Sequence, residues 1–186
     1  MEILSFDSAE KWERWIAKSH ISSEGVWLRI FKRGSGKKTV TYDEALDGVL
    51  CYGWIDGQKK THDEHSWLQK FTPRRSKSIW SKRNKEHVAR LIKSKKMRSA
   101  GLREVESAKK DGRWDAAYDS PSNAEIPKDF LVALAKNKKA KSFFDTLNKT
   151  NRYSIAWRLQ TAKKPGTRAR RLKEILSMMT EGKKFH

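Results

Sequence analysis

From residue 78 onward the apolar residues of this chain recur only at helical spacing, three and four apart. Before that point, strand-like runs alternate with helical ones. The switch in period implies an α+β fold. A small N-terminal α/β unit with a short antiparallel or mixed sheet precedes a mainly helical C-terminal part. The expected division is an N-terminal domain over 1–112 that ends in two helices, a linker over 113–126, and a helical domain over 127–186.

Local signals fill in this outline. Asp7 and Glu10 announce a helix over about 8–19 with Trp12, Trp15 and Ile16 on one face. "EGVWLRIFKR" (24–33) reads as a strand, and its nearly unbroken run of large residues is that of a strand covered on both faces. Thr41 and Glu44 form a capping box before a helix that Gly53 is placed to end. "WIDGQKK" (54–60) and "SWLQKFTPR" (66–74) are the next strands, the second with Trp67, Gln69 and Phe71 on one side and Leu68 and Lys70 on the other. Helices follow over 82–95, with Ser81 as N-cap, and over 99–110. The segment rich in Asp, Ser, Pro and Asn before Pro127 is the expected linker. Pro127 suits the first turn of the next helix, and Asn137 separates that helix from a short one. Tyr153, Ala156 and Trp157 share a face of another. Pro165 and Gly166 are read as a break before a last helix over about 167–180.

Eight Trp, seven Phe and four Tyr supply a core despite 37% hydrophobic residues. Cys51 is the sole cysteine, which excludes an internal disulfide. No stretch approaches the ~20 apolar residues of a membrane span, and "MEILSFDSAEKWERW" turns polar at once, so a cytoplasmic protein without a transmembrane segment is expected.

The net charge of +20 is uneven: −1 over residues 1–58, +12 over 59–110 and +9 over 111–186. Such asymmetry points to nucleic acid or another polyanion as partner, with solubility alone as the other reading. It is densest in "FTPRRSKSIWSKRNK" (71–85). A helix N-terminus ordinarily takes acidic residues, yet here Lys82, Arg83 and Lys85 follow Arg74, Arg75 and Lys77. A bound anion would offset the repulsion by meeting both cations and unpaired amides near Ser81, with Trp80 as a stacking surface or as a core residue. Side chains spread into water are the competing account. Arg168, Arg170, Arg171 and Lys173 form a second basic surface that points in several directions.

In "YGWIDGQKK" (52–60), Trp54 and Asp56 are candidates for a ligand pocket, and Asp56 alternatively for an ion pair or turn cap. Other motifs fail. "GSGKKT" lacks the phosphate-loop pattern because Phe31 and Lys38 stand where Gly and Ser or Thr belong. Cys51 with His62 or His65 makes no nucleophile pair, since Cys51 falls on an apolar helix face. His62 and His65 have no third ligand, so no metal, cofactor or catalytic set is expected.

The blocks "FKRGSGKKTVTYDEALDGVLCYGWIDGQKK", "WLQKFTPRRSKSIWSKRNKEHV", "AGLREVESAKKDGRWDAAYDSPS" and "LNKTNRYSIAWRLQTAKKPGTRARRL" resemble the YdeI/OmpD-associated, or bacteriocin-protection, family. "YGWIDGQ" and "FTPRRSKSIWSKRN" are the most specific of these stretches. The resemblance implies a bacterial protein with a role in stress or in protection against bacteriocins and cationic peptides. It carries over no reaction and no catalytic residue. Three functions therefore stand side by side: a polyanion binder, an enzyme or small-anion receptor, and a protection factor acting through a protein partner.

Overall fold

A computed structural model describes all residues, Met1–His186. The fold is α+β: a four-stranded mixed sheet in the N-terminal half, and eight helices that lie mostly toward the C-terminus. Two compact units emerge. One holds Met1–Trp80 with Asn84–Asp115, the other Ala116–His186 with Ser81–Arg83.

The first unit is built on β1 (Ile3–Ser5), β2 (Val26–Phe31), β3 (Trp54–Thr61) and β4 (Ser66–Pro73), in the order β1-β2-β4-β3. β1 runs parallel to β2, and the other pairs are antiparallel. β1 is absent from the sequence reading, because three residues are too few for a visible period. Register fixes the two faces. Val26, Leu28 and Ile30 stand opposite Phe71, Gln69 and Trp67, and they are buried. Their neighbours Trp27, Arg29 and Phe31 point the other way and are half-buried. The expectation of a strand covered on both faces is thus corrected: β2 alternates, and its large outer residues remain in contact with solvent.

Helices α1 (Ala9–Ser19) and α2 (Tyr42–Cys51) cover the inner face. Trp12 is wholly buried between them and the sheet. Its ring lies 5.6 Å from that of Phe71, and its Nε1–H donates to the Ala45 carbonyl at 3.0 Å. The expected capping box is present, with Thr41 Oγ1 accepting from the Glu44 amide and the Glu44 carboxylate accepting from the Thr41 amide. Past α2, Gly53 adopts φ +77°, a left-handed turn that glycine takes without a Cβ penalty. Helices α3 (Lys82–Lys93) and α4 (Ser99–Lys110) follow, with Asp47 of α2 bonded to both His87 and Arg90 of α3.

The second unit contains α5 (Lys128–Ala135), α6 (Lys138–Asp145), α7 (Lys149–Gln160) and α8 (Pro165–Thr180). Its core is Phe130, Leu134, Phe144, Ile155, Leu159, Ile175 and Met179, with Ala140 and Leu147. Asn137 and Asn148 cap α6 and α7 through their side chains. Pro165 does not break a helix; it opens α8, because the first helical position needs no amide hydrogen and suits the fixed φ of proline. The residues between Asp115 and Lys128 form neither helix nor strand, with a turn over 121–123 and with Ser81 and Tyr118 joined in an isolated parallel bridge.

Candidate functional site

α3 begins at Lys82, and its first turn holds no acidic residue. Several of the cations around this helix start, however, have partners inside the protein. Arg74 is buried, with its guanidinium 3.4 Å from the centroid of the Trp80 ring and its Nη1–H donating to the Ile79 carbonyl. Trp80 is also buried, edge-on to Trp114 at 4.9 Å, so its ring belongs to the interior of the first unit rather than to a stacking surface. Lys85 Nζ donates to the Trp114 carbonyl at 2.9 Å. Ser81 is buried in its bridge and Arg83 is exposed. Lys82 pairs with Asp119 at 2.6 Å, which raises the lysine pKa and, with a bond from Gln160, lowers that of the aspartate. The Arg75 amide donates to Ser78 Oγ in a tight turn, leaving the Arg75 and Lys77 side chains exposed.

Trp54 is buried, edge-on to Trp15, and donates to the His20 carbonyl at 3.1 Å. Asp56 accepts from Tyr42 Oη at 2.8 Å and from Asn84 Nδ2 at 3.1 Å, a hydrogen-bonded carboxylate at the end of the core. The second basic surface is also largely structural. Arg168 makes a bidentate pair with Asp129 and reaches the Leu159 carbonyl, and Arg171 donates to the Arg158 carbonyl. Both cations thereby serve the negative end of α7. Arg170 stands 3.8 Å from Glu174, and Lys173 is exposed.

A different concentration of unneutralised charge lies on the sheet. Lys32, Arg33, Lys59 and Lys60 line an open depression of about 630 Å³ together with Thr61 and Trp67, and no carboxylate takes part. Lys59 Nζ rests 4.1 Å from the centroid of the Trp67 ring. On the outer face, Lys60 lies 4.3 Å and Lys70 5.9 Å from the Trp27 ring, while Arg29 and Lys37 lie 4.6 and 5.1 Å from that of Phe31. Asp63 is the acid that meets this group. It accepts from Arg29 at 2.6 Å and from Ser66 at 2.7 Å, and these bonds, Ser66 foremost, bring its pKa down to about 2. Sequence reasoning missed these residues because the run "VWLRIF" was taken as enclosed. Its signal was the spacing of Trp27, Arg29 and Phe31 at i, i+2, i+4, which places aromatic and cation on one side of a strand.

A second cavity, about 350 Å³, is bordered by Glu13, Glu44, Asp47, Cys51, Tyr52, Lys96 and Arg98 among others. Burial and the nearby carboxylates of Asp47 and Glu13 push the Cys51 thiol up to about 11, the state of an inert thiol.

Neither a curated protein nor a solved structure matches the chain. Two family models do. Residues 123–182, a span that contains the whole of the fourth block quoted above, match the family described as bacteriocin-protection, YdeI or OmpD-associated. Residues 4–104, with the first two blocks, match the family described as a domain of unknown function, DUF8412. The chain therefore belongs to the DUF8412 family, and its helical second unit carries the segment that marks the YdeI/OmpD-associated, bacteriocin-protection family.

Proposed function

We propose that this protein binds nucleic acid through the basic border of its sheet, where β2, β3 and β4 meet the depression described above. The observation that carries the reading is the depression lined by Lys32, Arg33, Lys59 and Lys60, where four cations converge without an acid among the lining residues. The cations of 71–85 and 163–173 are largely committed to carbonyls, rings and carboxylates of the protein, as described above. Lys32 donates to the Glu64 carbonyl at 2.9 Å, whereas Lys59 and Lys60 extend over the Trp67 and Trp27 rings, an arrangement that a phosphate chain would exploit by exchanging these weak contacts for ionic ones. The family description of residues 123–182 supports a protective role for such binding, and the proposed setting is the cytoplasm.

Fluorescence anisotropy of labelled oligonucleotides against salt tests the reading. Affinity should fall linearly on logarithmic axes, and replacing Lys59 and Lys60 by Gln should make the slope shallower by about 1.4–1.8, since each phosphate contact contributes about 0.7–0.9. Undetectable binding of both single strands and duplexes at about 50 mM salt overturns it.

A further inference from the structure

The outer face of the sheet carries more than charge. Trp27 and Phe31 lie two positions either side of Arg29 on one edge-to-edge line of β2, about 13 Å apart at the rise of an extended strand. Both rings are half-buried and carry cations over their faces: Lys60 and Lys70 at Trp27, and Lys37 with Arg29 at Phe31, the last also held by Asp63 and Ser66. The strand pairing makes this a rigid platform, with Lys70 the direct cross-strand partner of Trp27 and Leu68 that of Arg29.

A platform of this kind discriminates between forms of nucleic acid. In a duplex the base faces are stacked on each other and closed to an aromatic ring, and its higher charge density makes a purely ionic surface bind it at least as well as a single strand with the same number of phosphates. Flat aromatic rings separated by cations offer a second contact that only unstacked bases can use. An ammonium over an exposed ring holds it weakly, so a base stacking there displaces the lysine sideways, where the lysine meets the adjoining phosphate. Asp63, the carboxylate that Arg29 meets at this face, is already engaged by Arg29 and Ser66 and offers little repulsion.

We infer that the preferred ligand is single-stranded nucleic acid, with one base stacked on Trp27 and a second on Phe31 while Lys60, Lys70, Arg29 and Lys37 hold the backbone between them. This rests on the nucleic-acid reading above but adds a claim of its own. The whole chain is titrated with labelled oligo(U), oligo(dT) and a duplex carrying the same number of phosphates. The single strands should bind about tenfold more tightly than the duplex, and Trp27→Leu should remove most of that advantage without changing the salt slope, since no charge is lost. Phe31→Leu, the milder change, should lower single-strand affinity severalfold and serves as the test if Trp27→Leu fails to fold. Equal affinity for strand and duplex, with the folded variants indistinguishable from the parent, overturns the stacking inference and leaves the ionic reading standing. Absence of binding by any of the three probes removes both.

Discussion

Single side chains here do work that their residue type conceals. Gln69, in the middle of β4, is buried and donates to the carbonyls of Gly57, Gln58 and Lys70, bridging the irregularity in β3 between Asp56 and Lys59. Gln69→Leu should cost about 0.5–1.5 kcal/mol in urea denaturation, because it removes these bonds while the exposed Gly57 and Gln58 can turn their carbonyls to water. Asp63 makes an acid-side prediction. Its carboxyl sits below its ordinary value in the folded state, so the stability it contributes is present above pH 3.8 and is lost as pH falls through about 2. An NMR titration of Asp63 should find that midpoint, and Asp63→Asn should erase this part of the acid transition. Cys51 behaves in the opposite sense. Its thiol is held neutral to about 11, so its contribution weakens as pH rises above 9, and Ellman's reagent should modify it only when the chain is unfolded. Of these roles, the inert thiol was legible from Cys51 lying on an apolar helix face. The burial of Arg74 and Arg113 was not. Arg113 donates to Asp111, to the Ser78 carbonyl and to Ser107, and nothing local in sequence distinguishes it from the exposed cations around it.

Elements were legible where their ends carry chemistry. Thr41 with Glu44 and the glycine at 53 bracket α2 in the sequence as they do in the fold. β1 and the start of α8 were not, for different reasons: one is too short to show a period, and the other begins at a proline whose two opposite meanings depend on what precedes it. The contact between α2 and α4 shows a third limit. Gly101 lies inside α4, where glycine is a poor helix former, yet a Cβ there would fall 2.5 Å from the Cys51 carbonyl oxygen and 2.6 Å from that of Leu50. Gly101→Ala gains about 1 kcal/mol of helix propensity and loses about 1–3 kcal/mol to the forced separation. A net fall in melting temperature is expected; a rise would mean that α4 does not lie against the end of α2. Such closeness depends on residues fifty positions apart, which no local window contains.

At the scale of the whole molecule, the second unit has a core drawn entirely from its own helices, closed by the chain end, where the amides of Phe185 and His186 donate to the buried Asn151. A fragment spanning Ala116–His186 should therefore keep helical circular dichroism and melt cooperatively, and a coil spectrum would refute its independence. The sheet of the first unit has its own boundary condition. β3 forms one border, and there the backbone is irregular after Asp56 and the exposed residues 57–61 include Lys59 and Lys60. An unpaired strand with smooth geometry and neutral side chains would recruit another copy of itself, strand against strand. The same two ammonium groups proposed above to meet a phosphate chain thus act as a fence: put valine in their place, and the border becomes a seam along which molecules join and come out of solution.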